Sequence, residues 1–142
     1  MSLIDRYLPF IARLCLVVLF PFSTLDKILD PAALTQANSS GLPVPGWLLL
    51  ILGGCVEVFG SLGVLFNVYR RQFALLFIFY CTVTAMLFHN FWIYPYGSPD
   101  WLNNFWPFLK NFGLVAGFLF VATDAKMGPL SKAFSLEPRP RD

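Results

Sequence analysis

Charged side chains are scarce in this chain. Asp, Glu, Lys and Arg make up 13% of its 142 residues, where a soluble domain carries about 25%. With 57% of residues hydrophobic, there is too little polar surface to face water on all sides. The length suits one domain. Histidine occurs once, as His89. Without a second His, Cys or carboxylate at ligand spacing it gives no support for a metal or haem site. The three cysteines, Cys15, Cys55 and Cys81, lie inside apolar segments and form no C-x-x-C pair. They read as small packing residues unless two of them meet across helices. Low-complexity tracts and solenoid-period repeats are missing too. The formal net charge of +2 is small and gives no sign of a nucleic-acid partner.

What the chain has instead is long apolar runs. From Trp47 to Phe66 there are twenty residues of which only Glu57 is charged. A helix rises ~1.5 Å per residue, so the run crosses ~30 Å, the thickness of a bilayer's hydrocarbon core. Three further runs complete four expected spans, at about residues 8–25, 47–66, 73–93 and 105–123. The first run resembles a signal peptide, but no small-x-small cleavage site follows and Arg13 interrupts it, so it reads as a retained helix. Pro21 is expected to kink it, which lipid tolerates when a neighbouring helix covers the freed carbonyl. Asp30-Pro31 reads as an N-cap and first helical position of a short surface helix ending near Asn38. Pro95, Gly97 and Pro99 break the chain between the third and fourth spans. The expectation is an all-α integral membrane four-helix bundle over residues 1–125, with a partly disordered cytoplasmic tail at 126–142.

Arg6, Arg70, Arg71, Lys126, Lys132, Arg139 and Arg141 fall on one side of that topology, against Lys27 in the loops of the other. The positive-inside rule then puts both termini in the cytoplasm. Trp47, Trp92, Trp101 and Trp106 all come to the outer interface, where indoles prefer to sit.

Glu57 lies near the midplane, where an ionised group costs on the order of 3 kcal/mol unless protein or water receives it. Lys27, His89 and Lys110 fall within roughly one to two turns of the outer ends of their spans. Lys27, His89, Asn90, Lys110 and Asn111 are therefore expected to converge on an outward-facing chamber floored by Glu57. An ion pair of Arg13 with Glu57, deeper in the bundle, is the alternative. Plainer readings stand beside these: Arg13 snorkels, Lys27 ends a helix, His89 bonds between helices, and Lys110 stretches to the headgroups. Trp92 and Trp106, with Phe91, Phe105 and Phe108, form either an interfacial belt or a wall suited to a planar, carbonyl-bearing ligand such as a quinone. Gly53, Gly54, Gly60, Gly63 and the Gly113-x-x-x-Gly117 pair read as close-packing surfaces.

The order of these features resembles a known family. Arg13 and Lys27 bracket the first run, and a Gly-Leu-Pro-x-Pro turn (Gly41 to Pro45) leads to Glu57, Gly63, Arg70 and Arg71. Phe88-His89 closes the third span; Phe105-Trp106, Lys110-Asn111 and Gly117 mark the fourth. This pattern is similar to the DoxX family of small four-helix inner-membrane proteins. The resemblance implies a multi-pass protein of the bacterial inner membrane. The family is named for a membrane subunit of a thiosulfate:quinone oxidoreductase, which implies an accessory or co-catalytic subunit of a quinone-linked redox assembly. The lipid bilayer and other redox subunits, or further copies of the chain, are then its expected partners. The paired-cysteine motif of the comparable vitamin K epoxide reductase bundle is lacking, which speaks against thiol–disulfide catalysis. Two other functions stay open. One is a stand-alone quinone-dependent oxidoreductase with Glu57 and His89 as catalytic candidates and Lys110 or Lys27 polarising a carbonyl. The other is a small proton-coupled transporter using Glu57.

Overall fold

A computed structural model describes the backbone of residues 3–124 and the side chains of residues 7–123. The tail expected at 126–142 lies outside the described residues. Five of the six α-helices among the described residues form four spans: α1 (Leu3–Val17) with α2 (Leu19–Leu29), then α4 (Gly46–Leu65), α5 (Arg70–Phe88) and α6 (Pro99–Asp124). The short α3 (Ala32–Asn38) crosses the end of the bundle between the first span and the second. All four spans are long and apolar enough to cross a membrane. Their outward faces carry bare apolar side chains such as Phe59, Phe79 and Phe120, the last 77% exposed, as a lipid-facing surface requires.

Pro21 leaves its mark one turn upstream. With no N–H on Pro21, the carbonyl of Val17 loses its helical partner, and the regular helix is interrupted at Val18. Ser61 on α4 covers that carbonyl, its hydroxyl donating to Val17 O at 3.4 Å. Val18 keeps right-handed helical geometry and its own bond to Leu14 O at 2.9 Å, so α1 and α2 continue as one span.

The connections are built from local capping. Asp30 accepts the Ala32 N–H at 2.8 Å and starts α3, and the Asn38 side chain accepts the Gly46 N–H at 2.8 Å, tying its end to α4. Gly46 has to be glycine at that approach: a Cβ would sit 2.5 Å from Asn38 Oδ1. At the other end of α4, Asn67 takes a left-handed φ of 63° and Val68 N–H reaches back to Gly63 O at 2.9 Å, a Schellman closure. The fourth span begins at Pro99 rather than near Phe105. Ser98 accepts the Trp101 N–H at 3.1 Å, and Pro99 sits at the first helical position, where its missing N–H costs nothing.

The spans close into a ring, with α1 and α2 on α4, α4 on α5, α5 on α6, and α6 back on α1. Phe20, Phe77 and Phe118 meet at its centre; Phe77 stacks on Phe118 at 4.5 Å and tilts against Phe20 at 4.3 Å. Glycines let the helices approach. A Cβ on Gly60 would lie 2.8 Å from the Phe77 ring, one on Gly117 would lie 2.8 Å from Leu16, and one on Gly63 would overlap Phe73. Gly113 has nothing within 4 Å, so only the second member of the Gly113-x-x-x-Gly117 pair is a contact.

These two glycine classes should separate on substitution. Gly63→Ala forces the Phe73 ring aside and should cost about 1–3 kcal/mol. Gly113→Ala should leave stability unchanged or raise it by up to about 1 kcal/mol through helix propensity. Unfolding in mild detergent followed by circular dichroism measures both; equal effects would contradict the packing described.

Candidate functional site

The site is organised by Glu57, which is 2% exposed near the middle of α4. Its carboxylate receives four side-chain donors. Thr24 donates to Oε2 at 2.6 Å, while Oε1 accepts Tyr80 at 2.7 Å, Ser23 at 3.2 Å and the Lys27 ammonium. Lys27 also reaches the Tyr80 hydroxyl at 3.4 Å. A carboxylate offers about four lone-pair sites and no hydrogen, so this partner set matches an acceptor and asks no proton of it. Charge-assisted bonds of this kind are the strong ones.

The register of α2 explains why these residues arrive together. Ser23, Thr24 and Lys27 fall on one helical face at i, i+1 and i+4, and a helical side chain leans toward its own N-terminus. Lys27 thus folds back over Ser23 onto Glu57. Gly54, one turn before Glu57, lets α2 come close: a Cβ there would lie 3.3 Å from the Thr24 methyl. Gly53 does the same for Tyr80, at 3.2 Å from its hydroxyl.

Arg13 is not the partner of Glu57. The carboxylate's cation is Lys27, and Arg13 Nε is buried without a hydrogen-bond partner. Arg13 sits ten residues before Ser23, ~15 Å along the helix and on the far side of the Pro21 interruption, so it cannot reach the same level.

Above Glu57 opens a cavity of about 520 Å³. Its walls come from α2, α4, α5 and α6, and Ala33, Gln36 and Ala37 of α3 form its roof. Lys27, Glu57, His89, Lys110 and Asn111 all line it, among leucines such as Leu49, Leu50, Leu87 and Leu114. Asn111 also donates to the Pro107 carbonyl at 2.9 Å, which orients it. Asn90, Trp92 and Trp106 do not line this space. Trp92 and Trp106 are more than half exposed and belong to an aromatic cap centred on Phe91, which meets Trp92, Trp101, Phe105 and Phe108 at 5.2–5.7 Å. That cap fixes the start of α6 against the α5–α6 connection.

Sequence reasoning missed Ser23, Thr24 and Tyr80. The available signal was depth: hydroxyls well inside a span need partners, and all three sit at the level of Glu57. Among the described residues, no three His, Cys, Asp or Glu side chains gather as a ligand set for a metal. Cys15 and Cys55 face outward and Cys81 is buried, all three as free thiols.

Four spans, lipid-facing flanks and a buried carboxylate paired with a half-buried lysine define a multi-pass membrane protein. A family profile described as DoxX matches residues 8–90, more than half of the chain, and the chain belongs to the DoxX family. It is also 30% identical over 115 residues to the "Inner membrane protein YphA" of Escherichia coli (strain K12), covering 79% of each chain. No solved structure matches it. The family match includes Lys27, Glu57 and His89 and stops short of Lys110 and Asn111.

Stripping one partner from a buried pair costs more when a charge is left behind. Lys27→Met abandons the Glu57 carboxylate and should cost about 3 kcal/mol or more. Glu57→Gln leaves Lys27 facing the cavity and an amide that still accepts from Thr24 and Tyr80, so it should cost less. The double variant should be more stable than the sum of the two losses. Additive losses in the same detergent unfolding measurement would overturn the coupling.

Proposed function

We propose that this chain is an accessory membrane subunit of a quinone-linked redox assembly, holding a small apolar ligand with carbonyl acceptors in the cavity above Glu57. The observation that carries this reading is the cavity itself. At about 520 Å³ it falls within the usual ~300–1,000 Å³ range of ligand pockets. Its walls are leucine-rich, while Lys27, Lys110, His89 and Asn111 bring hydrogen-bonding groups to the same space. A quinone needs that combination: an apolar trough for ring and tail, and donors for its carbonyl oxygens.

The four donors on Glu57 favour a structural anchor over a proton-handling base, which supports an accessory role over stand-alone catalysis or proton-coupled transport. Membership of the DoxX family and the likeness to an inner membrane protein support the bacterial inner membrane as its site. The basic residues near Arg70 and Arg71 support cytoplasmic termini, with the cavity opening on the other side.

Two measurements test this. A short-chain ubiquinone titrated into the protein in nanodiscs should bind once per chain. Leu50→Trp, which fills the cavity, should weaken binding at least about tenfold without unfolding the bundle. Absence of binding, or binding indifferent to that substitution, would overturn the reading. Separately, extraction in mild detergent followed by native mass spectrometry should recover the chain with a second redox polypeptide. A stable particle of this chain alone would count against the accessory role.

A further inference from the structure

The cavity carries an unbalanced charge. Among its lining residues Glu57 is the only acid, and Lys27 and Lys110 are the two cations. Glu57 is committed to Lys27. Lys110 has no carboxylate within 4 Å among the described residues. Asp26 and Asp100 lie outside the lining, and Asp30 caps α3. Lys27 itself has three N–H groups and spends two of them on Glu57 and Tyr80, leaving one for the space it lines. The lining therefore presents one net positive charge, carried by an exposed Lys110 and a half-buried Lys27 that stand among leucines.

We propose that the ligand of this cavity bears a single negative charge on its head, held by Lys110 with the remaining N–H of Lys27, and rests its apolar body on the leucine walls. The inference rests on reading the cavity as a ligand site and assigns that ligand its charge. A neutral carbonyl gains only hydrogen bonds here, whereas an anionic head also pairs with the ammonium, beside leucine walls that receive its apolar body. Glu57 then has a defined part: it cancels Lys27, so that the site accepts one charge and not two. The same chemistry is found in an ionised hydroxyquinone and in a fatty acid, and the experiment separates them.

The protein is placed in nanodiscs of neutral phosphatidylcholine, so that no anionic lipid competes. Two matched pairs are titrated: a hydroxynaphthoquinone, ionised at neutral pH, against its methyl ether, and decanoate against methyl decanoate. The ionised quinone should bind at least about tenfold more tightly than its ether. Lys110→Gln should bring that ratio close to one, and Lys110→Arg should keep it. Glu57→Gln, in preparations that remain folded, should raise anion affinity, where a proton-accepting role would lower it. An ether that binds as tightly as the ionised form, or a ratio untouched by Lys110→Gln, overturns the charge assignment and leaves the quinone reading standing. Decanoate binding with neither quinone bound keeps the charge and overturns the quinone. Binding of none of the four overturns both.

Discussion

A carboxylate near the middle of a membrane span must be received by its neighbours, and most of this bundle is arranged around that requirement. Glu57 draws Ser23, Thr24 and Lys27 from α2 and Tyr80 from α5 to one point. Each of those helices must come close enough for a short bond, and glycines at 53 and 54 make room for them. In lipid there is little hydrophobic drive between helices, so packing and hydrogen bonds of this kind carry the association. The polar cluster therefore helps to fix the mutual register of three of the four spans, while the Phe20, Phe77 and Phe118 rings fill the space beneath it.

The same register creates the cavity. α1 packs on α6 through Leu16 and Gly117, while α2, beyond Pro21, turns to α4 and α3. The first span thus belongs to the bundle core at one end and to the chamber wall at the other. Pro21 makes the division possible at little cost, because Ser61 takes up the carbonyl that it frees. Lys27 and Lys110 come from the first and last spans of this ring, and the cavity lies between them.

Much of the fold was legible in the sequence because lipid leaves so few solutions: long apolar runs become helices, and Asp30-Pro31 marks where the short surface helix starts. The start of α6 was misjudged because Pro95, Gly97 and Pro99 read as breakers, yet Pro99 occupies the one position where a helix welcomes proline. At the site, depth along each span put Lys27, Glu57, His89, Lys110 and Asn111 at related levels. It could not say which face each residue occupied, which is why Arg13 was a rival for Glu57 and why Asn90 was grouped with the chamber. The hydroxyls of Ser23, Thr24 and Tyr80 carry no charge and so drew no notice, although three of the four bonds on the carboxylate are theirs.

The roof of the cavity is short and leashed at both ends. α3 spans seven residues, held by Asp30 on one side and by the Asn38 bond to Gly46 on the other. Lifting it off α4 breaks the Asn38–Gly46 bond, a toll of roughly 0.5–1.5 kcal/mol at ordinary net hydrogen-bond strength. Any occupant that leaves by that route departs about 2–13 times more slowly than it would from an open bowl. Under the ligand reading, residence time is set partly by Asn38, a side chain that lies outside the cavity lining.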